Sequence, residues 1–340
     1  MNPNLMNPEP VNPTDQIIKT PRVDIHLGMD DFKEQLPIDV RNGMTSTPKS
    51  VPPKWFYDDH GSQLFAQITR LKEYYPTEAE RTILRLHAGD IAEASGADTL
   101  VELGSGISDK SRVLLTAMYK RNQLLRYVPF DVSSGVVKQA ASQLVEEYPG
   151  VDVHGIIGDF DQHLHTIPTA GTRMIALLGG TLGNYSPGPR REFLTRIAAT
   201  MSLGDTFLVG TDLVKNVARL ELAYNDPYGI TEAFNKNVLS VMNSALDADF
   251  DLEAFDHVAF FDTTNEWIDI RLRSKVAQRV NIKALDLAVD FAAGEDLHTE
   301  ISAKFRRESF AAELAEVGLT QTHWWTDPNN DYALSLYVRR

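Results

Sequence analysis

Cysteine is absent from this 340-residue chain. That gap excludes a disulfide framework, a thiolate metal site and a cysteine nucleophile. Positive charge is scarce as well: 33 basic against 47 acidic side chains leave a net charge of -14. A phosphate backbone or an anionic membrane face would be repelled, so neither nucleic acid nor membrane is expected as a partner. No apolar run approaches bilayer-spanning length. The first residues, MNPNLMNPEPVNPTDQ, lack both a basic and an apolar region, so no signal peptide is expected and the cytosol is the default location. What remains is a chain with 43% hydrophobic and 24% charged residues, long enough for one large domain or two ordinary ones.

Residues 1 to 22 are rich in Asn and Pro and read as a disordered tail. A short helix is expected around Asp31 to Leu36, stopped by Pro37. SVPPKWFYDDHGS reads as an ordered loop. Helices follow over Ser62 to Lys72 and Thr77 to Ala94, with Thr77 as N-cap and Glu80 completing a capping box. From Asp98 the pattern becomes strand, turn, helix, repeated: DTLVELG, LLRYVPFD, VDVHGIIGD, MIALLGG and TFLVGTD alternate with helices over Ser111 to Lys120, Gly135 to Glu147 and Arg190 to Met201. This alternation predicts right-handed βαβ units and a parallel sheet. LTQTHWWTD and DYALSLYV close the chain as an antiparallel hairpin. The stretch from about Lys215 to Lys304 interrupts the rhythm with two helical patterns and the strand-like runs HVAFFDTTN, EWIDIRLRSKVAQRV, LAVDF and TEISAKF. It reads as an inserted α+β lobe. The expected division is a tail at 1–22, a substrate-binding lobe at 23–78 plus 215–304, and a nucleoside-binding domain at 79–214 plus 305–340.

Gly104 and Gly106 lie where the first strand of the repeat turns toward a helix, and glycine there lets backbone approach a ligand closely. The dinucleotide pattern G-x-G-x-x-G fails, because Asp109 holds its third position. Asp131 closes the second strand, placed to accept from ribose hydroxyls. Asp159 and Phe160 close the third, offering an acceptor and an apolar surface to an adenine. Each Asp alone would read as a helix N-cap; the ordered set points to a nucleoside at the carboxyl edge of a doubly wound sheet. No Walker-type phosphate loop is present, and a sulfonium bearing an amino acid suits a glycine turn beside acidic groups. With its terminal hairpin, the pattern resembles the α/β, Rossmann-like, seven-stranded class I methyltransferase sheet, here with the inserted lobe.

Longer strings resemble one family: PPKWFYDDHGSQLFAQITRLKEYYPT, TLVELGSGISDKSRVLL, GGTLGNYSPGPRREFL, GTDLVKN, AYND, FNKNVL, VDFAAGEDLHTEISAKF and THWWTDP. All are similar to the ergothioneine-pathway histidine Nα-methyltransferases, from about Val40 to the C-terminus. The resemblance implies S-adenosylmethionine as cofactor, S-adenosylhomocysteine as its product, and trimethylation of free L-histidine to hercynine through partly methylated intermediates. It implies cofactor contacts from Gly104, Lys110, Asp131, Asp159 and Phe160. It implies that Asn184 and Tyr224 hold the histidine carboxylate, that Tyr74, Glu300 and Ser302 grip the imidazole, and that Tyr57 lies near the amine. Where the family can carry a methionine near the imidazole, this chain has Ile270; both are apolar and of similar volume, so tuned affinity is expected rather than a new substrate.

These assignments make chemical sense. Glu and Ser at i and i+2 on a strand share a face, so both can meet one ring. A glutamate accepting from an imidazole N–H discriminates against apolar amino acids, which would leave it unpaired. Methyl transfer is an in-line displacement whose reactivity resides in the cofactor. No Lys or His stands out as a base, so the amine is expected to lose its proton to solvent. Tyr57 and a nearby Asn or backbone carbonyl would orient its lone pair.

Other candidates carry less. His163 and His165 lack carboxylate companions at ligand spacing, so no metal is expected. DADFDLEAFD mimics the start of an EF-hand, but Leu252 and Val258 occupy its required Gly and Glu positions. Trp324 and Trp325 read as one core residue and one lobe contact. Two rival functions stand beside the main one: a methyltransferase for tryptophan or another aromatic amine, and a non-catalytic amino-acid-binding protein on the same fold. The chain is expected to act as a monomer.

Overall fold

The computed structural model describes residues 20–340. Most of the expected tail, 1–22, lies outside the described residues. The elements are, in chain order, β1 (Arg22–Ile25), α1 (Met29–Thr45), β2 (Lys49–Ser50), α2 (Asp59–Ile68), α3 (Pro76–Ser95), β3 (Thr99–Leu103), α4 (Ser111–Lys120), β4 (Arg126–Asp131), α5 (Ser134–Glu147), β5 (Asp152–Ile157), α6 (Phe160–His163), β6 (Arg173–Leu177), α7 (Pro187–Thr200), β7 (Thr206–Asp212), α8 (Val217–Tyr224), α9 (Ile230–Leu246), β8 (Phe255–Asp262), β9 (Trp267–Ser274), β10 (Gln278–Ile282), β11 (Leu287–Phe291), β12 (Asp296–Ala303), α10 (Arg307–Glu316), β13 (Leu319–Thr326) and β14 (Tyr332–Arg339).

The main sheet runs β1-β5-β4-β3-β6-β7-β14-β13. Strands β5, β4, β3, β6 and β7 are parallel, while β14 and β13 return antiparallel as the predicted hairpin. These seven strands are the α/β layout expected from the sequence. An eighth, β1, pairs in parallel with β5 from Arg22↔His154 to Ile25↔Ile157. The expected boundary at residue 23 therefore moves: this segment joins the main sheet and not the lobe. Asp24 fixes it through His154 Nε2 at 2.8 Å. Four residues after a proline are too few for a period-2 signal to show.

Each face of the sheet is covered. Ile83, Leu84 and Ile91 of α3, Leu114 of α4 and Leu144 of α5 bury one side, and Phe193, Ile197, Phe310 and Leu314 of α7 and α10 bury the other. Strands covered on both faces read as continuous apolar runs, which is why β3 to β7 were legible. No helix among the described residues is long and apolar enough to cross a membrane.

The inserted stretch forms a second sheet, β2-β12-β9-β8, with the ribbon β10-β11 beside it. EWIDIRLRSKVAQRV, expected as one run, divides into β9 and β10, because β9 pairs with β8 and β12 while β10 pairs with β11. The helix expected to stop at Pro37 instead continues to Thr45 with the proline inside it. A mid-helix proline costs about 3 kcal/mol. Leu36, Val40 and Met44 are buried in the lobe core, and about 1.5–3 kcal/mol for each such side chain outweighs that penalty. The capping box at Thr77 also does not form: α3 begins at Pro76, and Glu80 turns into the interior. In the acidic run, Asp249 accepts from Asn281 N–H at 2.6 Å and Asp251 caps a 3-10 turn, the solvated-turn role expected of it. Trp324 and Trp325 are both half-buried: Trp325 packs against the main core and stacks on His323, as its core placement expects, while the expected lobe contact is instead Arg307 of α10 lying over Trp324.

Candidate active site

All eleven residues singled out in the sequence line one cavity of about 1230 Å³ at the carboxyl edge of the main sheet: Tyr57, Tyr74, Gly104, Lys110, Asp131, Asp159, Phe160, Asn184, Tyr224, Glu300 and Ser302. Ile270 lines it too. They arrive from sequence positions 57 to 302, and only the fold brings them together.

The glycine turn follows β3. Gly104 and Gly106 have φ of +69° and +50°, a left-handed backbone that residues with a Cβ resist. Asp131, the last residue of β4, accepts from Gly106 N–H and from Ser133 N–H, both at 2.9 Å. Burial pushes its carboxyl pKa up, and those two N–H groups work against that. Each oxygen of such a carboxylate can accept again, as a ribose diol requires. Asp159 caps α6 through Asp161 N–H at 2.8 Å, so it performs the capping job while facing the cavity. Phe160 is half-buried beside Phe193, its ring centroid 5.8 Å away. An acceptor pair, an apolar ring, an uncluttered glycine backbone and the Lys110 cation are a donor set that fits a nucleoside bearing an amino acid.

Lys110 pairs with Glu80, whose side chain is 1% exposed. Glu80 also accepts from Gly179 N–H at 2.8 Å and from Tyr332 OH at 3.2 Å. The sequence reading spent Glu80 on a helix cap and so missed it. Replacing Glu80 by alanine should orphan these three donors and lower stability by about 2–4 kcal/mol, read as a drop in the thermal midpoint; a midpoint within 1 °C of the parent, roughly 0.3 kcal/mol for a chain this long, would show the network to be dispensable. Glu102, at the end of β3, is a second missed carboxylate. It is buried on the cavity wall and held by Ser111 and Tyr127, and burial pushes its pKa up to about 7.

At the other end of the cavity, Glu300 and Ser302 lie on β12. A register shift between His298 and Glu300 marks a bulge, which re-aims the side chains after it. Glu300 opposes Ile270 on β9. Burial pushes its carboxyl up to about 7, against Lys304 and a hydrogen bond from Asn184. Tyr224, the last residue of α8, is hydrogen-bonded to Ser302 Oγ at 2.7 Å and stacks edge-on with Tyr74, centroids 5.8 Å apart. Groups expected at opposite ends of one ligand thus hold each other in crossed pairs, Asn184 with Glu300 and Tyr224 with Ser302. Tyr57, after the 3-10 turn Pro53–Phe56, leans edge-on against Phe65 and Phe234 and is 42% exposed.

Behind this wall lies a polar cluster absent from the sequence reading. Asp212, the last residue of β7, pairs with Lys304 at 2.9 Å and with Lys215, and accepts from Tyr75 OH at 2.9 Å. Lys304 follows Glu300 and Ser302 at the same two-residue spacing, so strand parity alone could have flagged it.

The comparisons agree with this geometry. Residues 36–339 match the sequence model of a family described as histidine-specific, SAM-dependent methyltransferase. The histidine N-alpha-methyltransferase of Mycolicibacterium smegmatis is 55% identical over 92% of this chain and 98% of its own. Ergothioneine biosynthesis protein 1 of Neurospora crassa is 28% identical over 86% of this chain and 33% of its own length. The L-tryptophan methyltransferase of Psilocybe serbica is 26% identical over 87% and 90%. With a family match spanning nearly every described residue and a close relative matched almost end to end, the chain belongs to the histidine-specific, SAM-dependent methyltransferase family.

Proposed function

We infer that the chain trimethylates the α-amine of free L-histidine to hercynine, a step of ergothioneine biosynthesis, acting in the cytosol. The observation that carries this reading is the single cavity in which a glycine turn and Asp131 meet Glu300, Ser302, Asn184 and Tyr224. The name of the Mycolicibacterium relative supports the substrate, and that of the Neurospora relative supports the pathway.

The division of labour follows the two sheets. Gly104, Lys110, Asp131, Asp159 and Phe160 of the main sheet hold the cofactor, with Lys110 offering a cation to an anionic group. Residues from the second sheet and the segments packed on it, joined by Asn184 from the turn after β6, hold the amino acid. Bound S-adenosylmethionine supplies a sulfonium methyl group open to in-line displacement.

The chain's own residues supply recognition and alignment. Glu300, ionised, accepts an imidazole N–H while Ser302 and Tyr74 complete the grip on the ring. Asn184 and Tyr224 turn from their crossed partners to the substrate carboxylate. Tyr57 faces the amine, which gives its proton to solvent, and fixes the direction of its lone pair. Alignment of two reactants in this way can account for roughly 7–11 kcal/mol of barrier reduction. Replacing Tyr57 by phenylalanine should therefore lower kcat about tenfold or more while the histidine Kd changes less than threefold; unchanged turnover would remove Tyr57 from the mechanism.

The test of the whole reading is a mass-spectrometric screen of the twenty amino acids with unlabelled cofactor. Histidine should gain about 42 Da, three methyl-for-hydrogen exchanges. A gain on tryptophan alone would select the rival substrate, and no gain on any would leave a binding protein.

A further inference from the structure

No side chain with a formal positive charge is among those assigned to the substrate carboxylate; Asn184 and Tyr224 are neutral. Yet Lys304 stands directly behind Tyr224. Its side chain is fully buried, and its ammonium lies 3.0 Å from Tyr224 Oη, 2.8 Å from Ser302 Oγ and 2.9 Å from Asp212 Oδ2. An ammonium has three donors and no acceptor. All three are used, so both hydroxyl oxygens accept from beneath, and the proton of Tyr224 is left to point at Ser302 or into the cavity.

Lys304 is bonded to one carboxylate, Asp212, which is shared with Lys215. Tyr75 donates to the same carboxylate and accepts from Lys215 at 2.7 Å. The Glu300 carboxyl also lies in the field of Lys304, so with Glu300 ionised two lysines face two carboxylates, and the Lys304 ammonium is the charge set directly against the Tyr224 hydroxyl. Arg219, the next cation along this wall, is already paired with Asp331.

We propose that Lys304 is a positioning residue that acts on the substrate carboxylate through Tyr224, its ammonium fixing the phenol as a donor and polarising its O–H. The pocket thereby selects a free amino acid over its carboxamide or ester without placing a cation at the substrate end of the cavity, where it would compete for Glu300. Lys215 keeps Asp212 paired, so the anion stays neutralised when Lys304 is removed. The inference rests on the assignment of Tyr224 to the carboxylate end.

The test compares L-histidine with L-histidinamide, which keeps the ring, the amine and the shape but lacks the carboxylate charge. Both are titrated calorimetrically in the presence of S-adenosylhomocysteine. K304M should weaken histidine about tenfold relative to histidinamide, the difference between a charge-assisted and a neutral hydrogen bond. Affinity for S-adenosylhomocysteine should stay within about twofold, a limit taken from the absence of any Lys304 contact with the cofactor residues. Y224F should lose the same discrimination, and K304M added to Y224F should take no more away. Equal loss for both ligands, or no loss for either, would reduce Lys304 to a structural residue and overturn the proposal. If Y224F itself leaves the discrimination intact, the assignment of Tyr224 fails first, and separately. Should K304M not fold, K304Q, which keeps an N–H donor without the charge, carries the same comparison.

Discussion

Replacing Glu300 by alanine should weaken L-histidine binding by about 100-fold, while S-adenosylhomocysteine binding is unaffected. The magnitude follows from removing a charged acceptor from a buried site, a loss of about 1.5–3 kcal/mol, together with the imidazole N–H then left unpaired. Glu300 touches no residue assigned to the cofactor, so the two affinities separate cleanly in one calorimetric experiment. A fall in both would instead mean that the change disturbs the cavity wall. The pH dependence gives an independent signature. Burial raises the Glu300 carboxyl to about 7, against the pull of Lys304 and the Asn184 amide. A raised carboxyl pKa means the accepting, ionised form is populated above that value and lost below it. Histidine affinity should then fall by about tenfold per pH unit once the pH drops well below 7. Glu300→Gln should abolish this bend, leaving the titration of free histidine alone; a bend that survives in the glutamine variant assigns it to another group.

Replacing Asp131 by alanine should weaken S-adenosylhomocysteine binding by about 100-fold or more. This carboxylate has two tasks. It holds Gly106 N–H and Ser133 N–H at 2.9 Å, and so fixes the glycine turn to the end of β4. In the proposed function its remaining lone pairs accept from a ribose diol. Each charge-assisted bond lost is worth about 1.5–3 kcal/mol, so two of them account for the expected drop. Asp131→Asn does not separate the tasks, since Gly106 N–H and Ser133 N–H bind different oxygens and the amide nitrogen would face one of them. It should lose about tenfold in cofactor affinity and lower the thermal midpoint as well. Cofactor affinity within about threefold of the parent in the alanine variant would exclude Asp131 from the nucleoside site.

The parts of the fold that could be read from the chain are those where local pattern and tertiary environment agree. β3 to β7 are covered on both faces, so each is a short unbroken apolar run ending at a turn residue. Helix α4 was placed at Ser111–Lys120 because its apolar spacing matches the face it buries. Where long-range packing overrides local preference, the reading failed. Pro37 is a helix breaker by its own chemistry, but the burial of Leu36, Val40 and Met44 carries α1 through it. Thr77 and Glu80 have capping-box spacing, yet Glu80 finds better partners in Lys110, Gly179 and Tyr332, from three other elements.

For the site, residue type at three successive strand ends marked the groups that could accept from a ribose, the family resemblance implied those that would meet an imidazole, and period-2 spacing put Glu300 and Ser302 on one strand face. Residue type and spacing are properties of a few adjacent positions. Only the tertiary structure decided what stands behind them. The pairing of Asp212 with Lys304, the support of Lys110 by Glu80, and the crossed pairing of Asn184 with Glu300 join residues from 30 to more than 100 positions apart. Buried charges carry no periodic signature in a chain, because the partners that neutralise them are chosen by proximity in the folded core.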